Sequence, residues 1–160
     1  SLDNTNVSNI SPLSGLVNLE NLYLGSEVSD ISPLSGLSKL KVLNLGDANI
    51  SDISPLSNLT NLQDLNLIYT SVSDFSPLSG LTNLRRLSLS GINISDPHLS
   101  PLSNLVNLKR LWLDDTNISD ISPLSGLTNL ELLDLQNTNV SSGDCEKLKK
   151  DLPSTDIKCP

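Results

Sequence analysis

Residues 32–53 read SPLSGLSKLKVLNLGDANISDI, and most of the chain consists of variants of this stretch. The hexapeptide SPLSGL or SPLSNL begins at Ser11, Ser32, Ser54, Ser76, Ser100 and Ser122, with gaps of 21, 22, 22, 24 and 22 residues. A fixed period of this size marks a solenoid, in which each unit buries its apolar face against its neighbours. The chain is therefore read as stacked copies, and function is sought where the copies differ.

The copies share the frame L-x-x-L-x-L, two free residues, a Thr or its substitute, then x-[IV]-S-D-I-S-P-L-S-G-L. The leucine triplets are Leu19/Leu22/Leu24, Leu40/Leu43/Leu45, Leu62/Leu65/Leu67, Leu84/Leu87/Leu89, Leu108/Leu111/Leu113 and Leu130/Leu133/Leu135. The last three positions alternate apolar, free, apolar, as a short strand buried on one face requires. Pro33, Pro55, Pro77, Pro101 and Pro123 suit the first turn of a short 3-10 or helical segment, where no N–H is needed. Strands stack about 4.8 Å apart and the turns opposite need more room, so the array must bend with its parallel strands on the concave side. The fold class is α/β: a curved solenoid with a parallel β-sheet inside the curve and short 3-10 or α segments outside it. One partial and six full repeats fill residues 1–140, and residues 141–160 read as a C-terminal cap.

This pattern resembles the leucine-rich repeat proteins, and among them the bacterial internalin-like form with 22-residue repeats. In that family the third residue after each strand's final leucine is usually Asn, whose side chain builds a ladder between repeats. Here the position holds Thr5, Glu27, Ala48, Thr70, Ile92, Thr116 and Thr138. Ala and Ile offer no side-chain hydrogen bond, so a weaker ladder is expected. Local distortion is expected where one residue is missing between Leu24 and Val28, and where two are inserted around Pro97 and His98.

The chain has 160 residues, 37% of them apolar, below the ~45–50% of ordinary globular domains. A one-dimensional core needs fewer apolar residues per unit. The formal charge of −8 argues against nucleic acid, which requires a basic footprint. Part of that charge is the recurring Asp30, Asp52, Asp74, Asp96 and Asp120, placed to cap the turn that follows. No apolar run approaches the ~18–20 residues of a membrane span. The chain lacks Met and opens in mid-repeat, as a piece of a longer protein would.

Candidate binding residues are the free positions on the strands and just beyond them. They are Tyr23, Val42, Asn44, Asp64, Asn66, Tyr69, Arg86, Arg110, Trp112, Asp114 and Asp134. Three of the four aromatic residues, Tyr23, Tyr69 and Trp112, fall on this surface, while Phe75 takes a core position equivalent to Ile53. Protein interfaces are enriched in Tyr, Trp and Arg, although single exposed aromatics are also ordinary. Tyr23 and Trp112 lie four strands apart, about 19 Å on 4.8 Å spacing, a span suited to a protein ligand. Arg85, Arg86, Lys109 and Arg110 cluster beside Asp114, Asp115 and Asp134, as a steering patch for a partner or as ion pairs between strands.

Catalysis finds little support: His98 is the only histidine, and the sequence offers no triad or zinc-ligand set to go with it. Asp114–Asp115 falls short of the six or more oxygens of a hard-cation site. No cofactor and no metal are expected, and a monomer is. In the cap, Asp144 is read as the start of a helix that ends before Pro153, with Leu148 and Leu152 on one face. Cys145 and Cys159 either form a disulfide, implying an oxidising compartment, or remain two buried thiols in the cytosol. The leading reading is a non-catalytic protein-binding module, and the resemblance to internalins implies a secreted or surface location. A cytosolic scaffolding subunit and a targeting repeat of a larger enzyme are the alternatives.

Overall fold

The computed structural model describes residues 1–3, 5–94 and 98–160. In each repeat the x-L-x core of the leucine triplet is extended. The strands are β1 (Asn21–Tyr23), β2 (Val42–Asn44), β3 (Asp64–Asn66), β4 (Arg86–Ser88), β5 (Arg110–Trp112), β6 (Leu132–Asp134) and β7 (Asp156–Lys158). They form one parallel sheet in chain order. The register aligns Leu22, Leu43, Leu65, Leu87, Leu111, Leu133 and Ile157 in a single row. That row is buried, from Leu133 at 0% exposure to Ile157 at 7%, and the residues flanking it face the inside of the curve.

The opposite side is built from 3-10 turns at Ser11–Leu13, Ser32–Leu34, Ser54–Leu56, Ser76–Leu78, Ser100–Asn104 and Ser122–Leu124, each with Pro in its first turn. The recurring aspartates act as expected. Oδ1 of Asp30, Asp52, Asp74 and Asp120 accepts the backbone N–H of the serine two residues on, at 2.8 Å. Asn9 does the same for Ser11 at 3.0 Å. Asp96 and Pro97 lie outside the described residues.

The turn does not stop at the hexapeptide. Leu34 N–H donates to Ile31, Leu37 to Leu34 and Leu40 to Leu37, at 2.9–3.0 Å. A period of three places every one of these side chains on the buried face, which is 3-10 geometry. The same chain of bonds links Ile53, Leu56, Leu59 and Leu62. Phe75 fills its expected core position, 1% exposed.

The threonine column bonds locally rather than between repeats. The hydroxyls of Thr5, Thr70, Thr116 and Thr138 donate to the carbonyl three residues back, at 2.6–2.7 Å. Ala48 and Ile92 fill the same place with carbon, 2% and 1% exposed. A ladder between repeats exists elsewhere, just before the strands. Nδ2 of Asn61, Asn83, Asn107 and Asn129 donates to Ser38, Thr60, Thr82 and Val106 carbonyls at 2.8–2.9 Å.

The cap corrects one expectation. Its helix α1 (Ser142–Asp151) is capped by Ser141, whose hydroxyl accepts the Asp144 N–H at 3.1 Å. Asp144 sits in the first turn and returns its carboxylate to the Ser141 hydroxyl. After α1, Asp156–Lys158 form strand β7, pairing with β6. Leu148 and Leu152 pack into the core, and a disulfide joins Cys145 to Cys159 with Cα atoms 6.1 Å apart.

Candidate functional site

Parallel, in-register pairing turns the variable positions into columns running along the solenoid. The first strand residues give Asn21, Val42, Asp64, Arg86, Arg110 and Leu132, and the last give Tyr23, Asn44, Asn66, Ser88, Trp112 and Asp134. These columns border a groove of about 520 Å³. Of the eleven expected binding residues it gathers ten: Tyr23, Val42, Asn44, Asp64, Asn66, Tyr69, Arg86, Trp112, Asp114 and Asp134. Arg110 lies outside it, in an adjoining hollow shared with Arg85, Arg86 and Lys109. Tyr69 is 60% exposed and Tyr23 37%, whereas Trp112 is half-buried.

The groove's relief comes from the residues after each strand. The second of these has a left-handed backbone at Asp47, Tyr69, Gly91, Asp115 and Asn137, with φ between 54° and 67°. Gly91 makes room for Tyr69, because a Cβ there would lie 2.2 Å from the ring. Gly46 likewise admits Ile68, whose Cγ1 would be 2.9 Å from an added Cβ. Ile68 therefore joins the groove as an apolar wall, a role the repeat pattern alone does not single out. In the shortened first repeat, Ser26 lacks the positive φ and Val28 N–H bonds Gly25 directly at 3.3 Å.

Two asparagines line the groove. Oδ1 of Asn44 and Asn66 accepts the N–H of Gly46 and Ile68 at 2.9 and 3.0 Å. Their Nδ2 groups make no hydrogen bond among the described residues and remain available to a ligand. Asp134 departs from the expected solvent-facing position: it is 6% exposed. Strand β7 explains this, since Lys158 Nζ reaches Asp134 Oδ2 at 2.9 Å while Oδ1 accepts Gln136 N–H at 3.2 Å. The hydrogen bond and negative charge of Asp134 raise the Lys158 pKa above its ordinary value.

Charges along the concave face are mostly satisfied across neighbouring strands. Arg86 grips Asp64 with two bonds of 2.7 Å. Lys109 pairs with Glu131 at 2.7 Å and Lys41 with Glu20 at 2.9 Å. The Lys109 bond holds the Glu131 carboxyl below its ordinary range. For these six residues the sorted charge is thus an ion-pair ladder, and exposed pairs of this kind each stabilise by only about 0–1 kcal/mol. Among the described residues no group of three His, Cys, Asp or Glu is placed to hold a metal, and no helix is long and apolar enough to cross a membrane.

A family model described as leucine rich repeats, in two copies, matches residues 17–58, 38–80, 82–123 and 106–150. Internalin C2 of Listeria monocytogenes is 34% identical with a TM-score of 0.91, over 100% of this chain and 70% of its own. The internalin inlF of Listeria monocytogenes is 38% identical with a TM-score of 0.87, over 95% of this chain and 44% of its own. A leucine-rich repeat protein of Leptospira interrogans shares the fold at 21% identity and a TM-score of 0.67, over 94% of this chain and 51% of its own. No curated protein matches the chain.

Proposed function

Because this chain belongs to the leucine-rich repeat family, in its bacterial internalin-like form, we propose that it is a non-catalytic module that holds a protein ligand in its concave groove. The observation that carries the reading is the convergence of Tyr23, Tyr69 and Trp112, three of the chain's four aromatic residues, on one groove. Aromatic groups in a largely apolar groove with two free amide donors match the composition of protein interfaces. The groove crosses strands β1 to β6, long enough for an extended segment or a protein surface. The disulfide in the cap suits an oxidising compartment, so the module belongs on the cell surface or outside the cell.

The test is to isolate the partner with this module as bait and then measure Trp112→Ala. Loss of a desolvated aromatic anchor is expected to weaken binding by about 2 kcal/mol or more. The fold is expected to survive, because Trp112 sits between the core residues Leu111 and Leu113 and is not itself in the core. An unchanged Kd in Trp112→Ala would rule out Trp112 as the anchor.

A further inference from the structure

Four of the chain's ten Lys and Arg residues, Arg85, Arg86, Lys109 and Arg110, occupy the ends of two adjacent strands in a protein of net charge −8. Register explains how they are compensated and where compensation fails. Arg86 and Arg110 are directly opposed on β4 and β5, an arrangement that is unfavourable for like charges. Arg86 is relieved by Asp64 on β3, but the neighbour of Arg110 on β6 is Leu132, which leaves Arg110 only the field of Glu131, a carboxylate already bonded to Lys109. One residue earlier, Lys109 is relieved by Glu131. Arg85 is flanked on its other side by Gln63, which is neutral. Two exposed guanidiniums, Arg85 and Arg110, therefore make no hydrogen bond or ion pair among the described residues. Both line one hollow of about 270 Å³ beside the groove, in which Asp64 and Glu131 are taken up by Arg86 and Lys109 and the charge left over is positive.

We propose that this hollow receives the carboxylate side chains of an acidic protein segment whose apolar residues occupy the adjoining groove. The proposal rests on the protein-binding reading above and names the chemistry of the partner. A guanidinium fork suits a planar carboxylate, and Arg86 with Asp64 already displays that geometry on the same surface. Two unpaired guanidiniums side by side on a chain of net charge −8 suit a segment with a few carboxylates better than a polyanion. Trp112 lies on the same strand two residues from Arg110, which favours apolar groups within a few residues of the acid, as a polypeptide provides and a sulfated glycan does not.

Trp112 is the only tryptophan, so its emission reports occupancy of the groove. Two synthetic peptides serve as probes, one alternating Glu and Phe and one with Gln in place of every Glu, alongside a heparin fragment. The Glu peptide is expected to bind at least about tenfold more tightly than the Gln peptide, and to lose that advantage as salt is raised. Arg85→Glu with Arg110→Glu is expected to abolish the advantage while leaving the Gln peptide's affinity unchanged. The milder pair Arg85→Gln and Arg110→Gln gives a smaller loss in the same direction. Equal binding of the two peptides, or undiminished Glu-peptide binding by the charge-reversed variant, overturns the acidic partner and leaves the groove reading standing. Heparin perturbing Trp112 as strongly as the Glu peptide overturns the polypeptide assignment. If neither peptide perturbs Trp112, the proposal and the anchor role of Trp112 fall together.

Discussion

Tyr69 adopts a backbone conformation that other repeats assign to Asp47, Gly91, Asp115 and Asn137. Gly, Asn and Asp tolerate the left-handed region, and a bulky side chain there costs about 1–2 kcal/mol. The ring recovers part of this by lying against Gly91, but at 60% exposure it recovers little from burial. Strain that burial does not offset is characteristic of residues kept for contact with a partner. Tyr69→Asn is therefore expected to stabilise the fold by about 0.5–1 kcal/mol, read as a higher urea midpoint with an unchanged m-value. Gly91→Ala is expected to destabilise it, because the new Cβ enters the Tyr69 ring at a positive φ. A lower midpoint for Tyr69→Asn would mean that the ring supports the fold after all. The tyrosine itself is visible in the sequence, but its strain is not, since φ follows from the turn and not from residue type.

At the scale of one element, the turn capped by aspartate titrates. Backbone and side-chain hydrogen bonds from Ser32 and Ser76 lower the pKa of Asp30 and Asp74 below the ordinary 3.8. A carboxyl depressed in the folded state binds fewer protons there than in the unfolded chain, so stability rises with pH through this range. Its contribution is complete above the ordinary carboxylate range and is lost as pH falls through the depressed folded value. Asparagine at the same place still accepts the serine N–H, as Asn9 does for Ser11. Asp30→Asn with Asp74→Asn should therefore keep the N–H bond but lose the added stability of the ionised carboxylate at neutral pH, bringing that stability toward the acid value and flattening its decline on acidification, measured by urea unfolding across pH. An acid limb identical to wild type would assign that decline to other groups. The caps were readable because Ser-Asp recurs at fixed spacing. The asparagine ladder also recurs, at Asn61, Asn83, Asn107 and Asn129, but its bonds run to carbonyls of the preceding repeat, which spacing alone does not show. The three-residue rhythm of Ile31, Leu34, Leu37 and Leu40 was equally present, hidden by the more familiar strand alternation. Strand β7 left no such trace: one isoleucine between charged residues becomes a strand only because β6 offers an unpaired edge.

Across the whole molecule, burial depends on having a neighbour on each side. Leu16 in the first repeat is 47% exposed, while its counterpart Leu37, one repeat further in, is 0%. The cap supplies that neighbour at the other end, through β7 on β6 and through Leu148, Leu152 and Ile157 in the core. A chain ending at Val140 would leave the edge of β6 open and uncover Leu130, Leu133 and Leu135, now 0–2% exposed. It would also lose the Lys158 partner of Asp134. Stability in a solenoid is a sum of repeat terms and nearest-neighbour interface terms, so the damage should start at β6 and fade toward β2. Hydrogen exchange is expected to show lost protection at Leu133 and Leu135 and retained protection at Leu43 and Leu45, with a lower urea midpoint. Reducing the Cys145–Cys159 bond in the full chain should give a milder form of the same gradient. In the chain-entropy model a loop of about 15 residues contributes about 3 kcal/mol, and that loss is confined to the cap. Uniform loss of protection from β1 to β6 would instead mean that the repeats unfold as one cooperative unit, with the cap stabilising all of them equally.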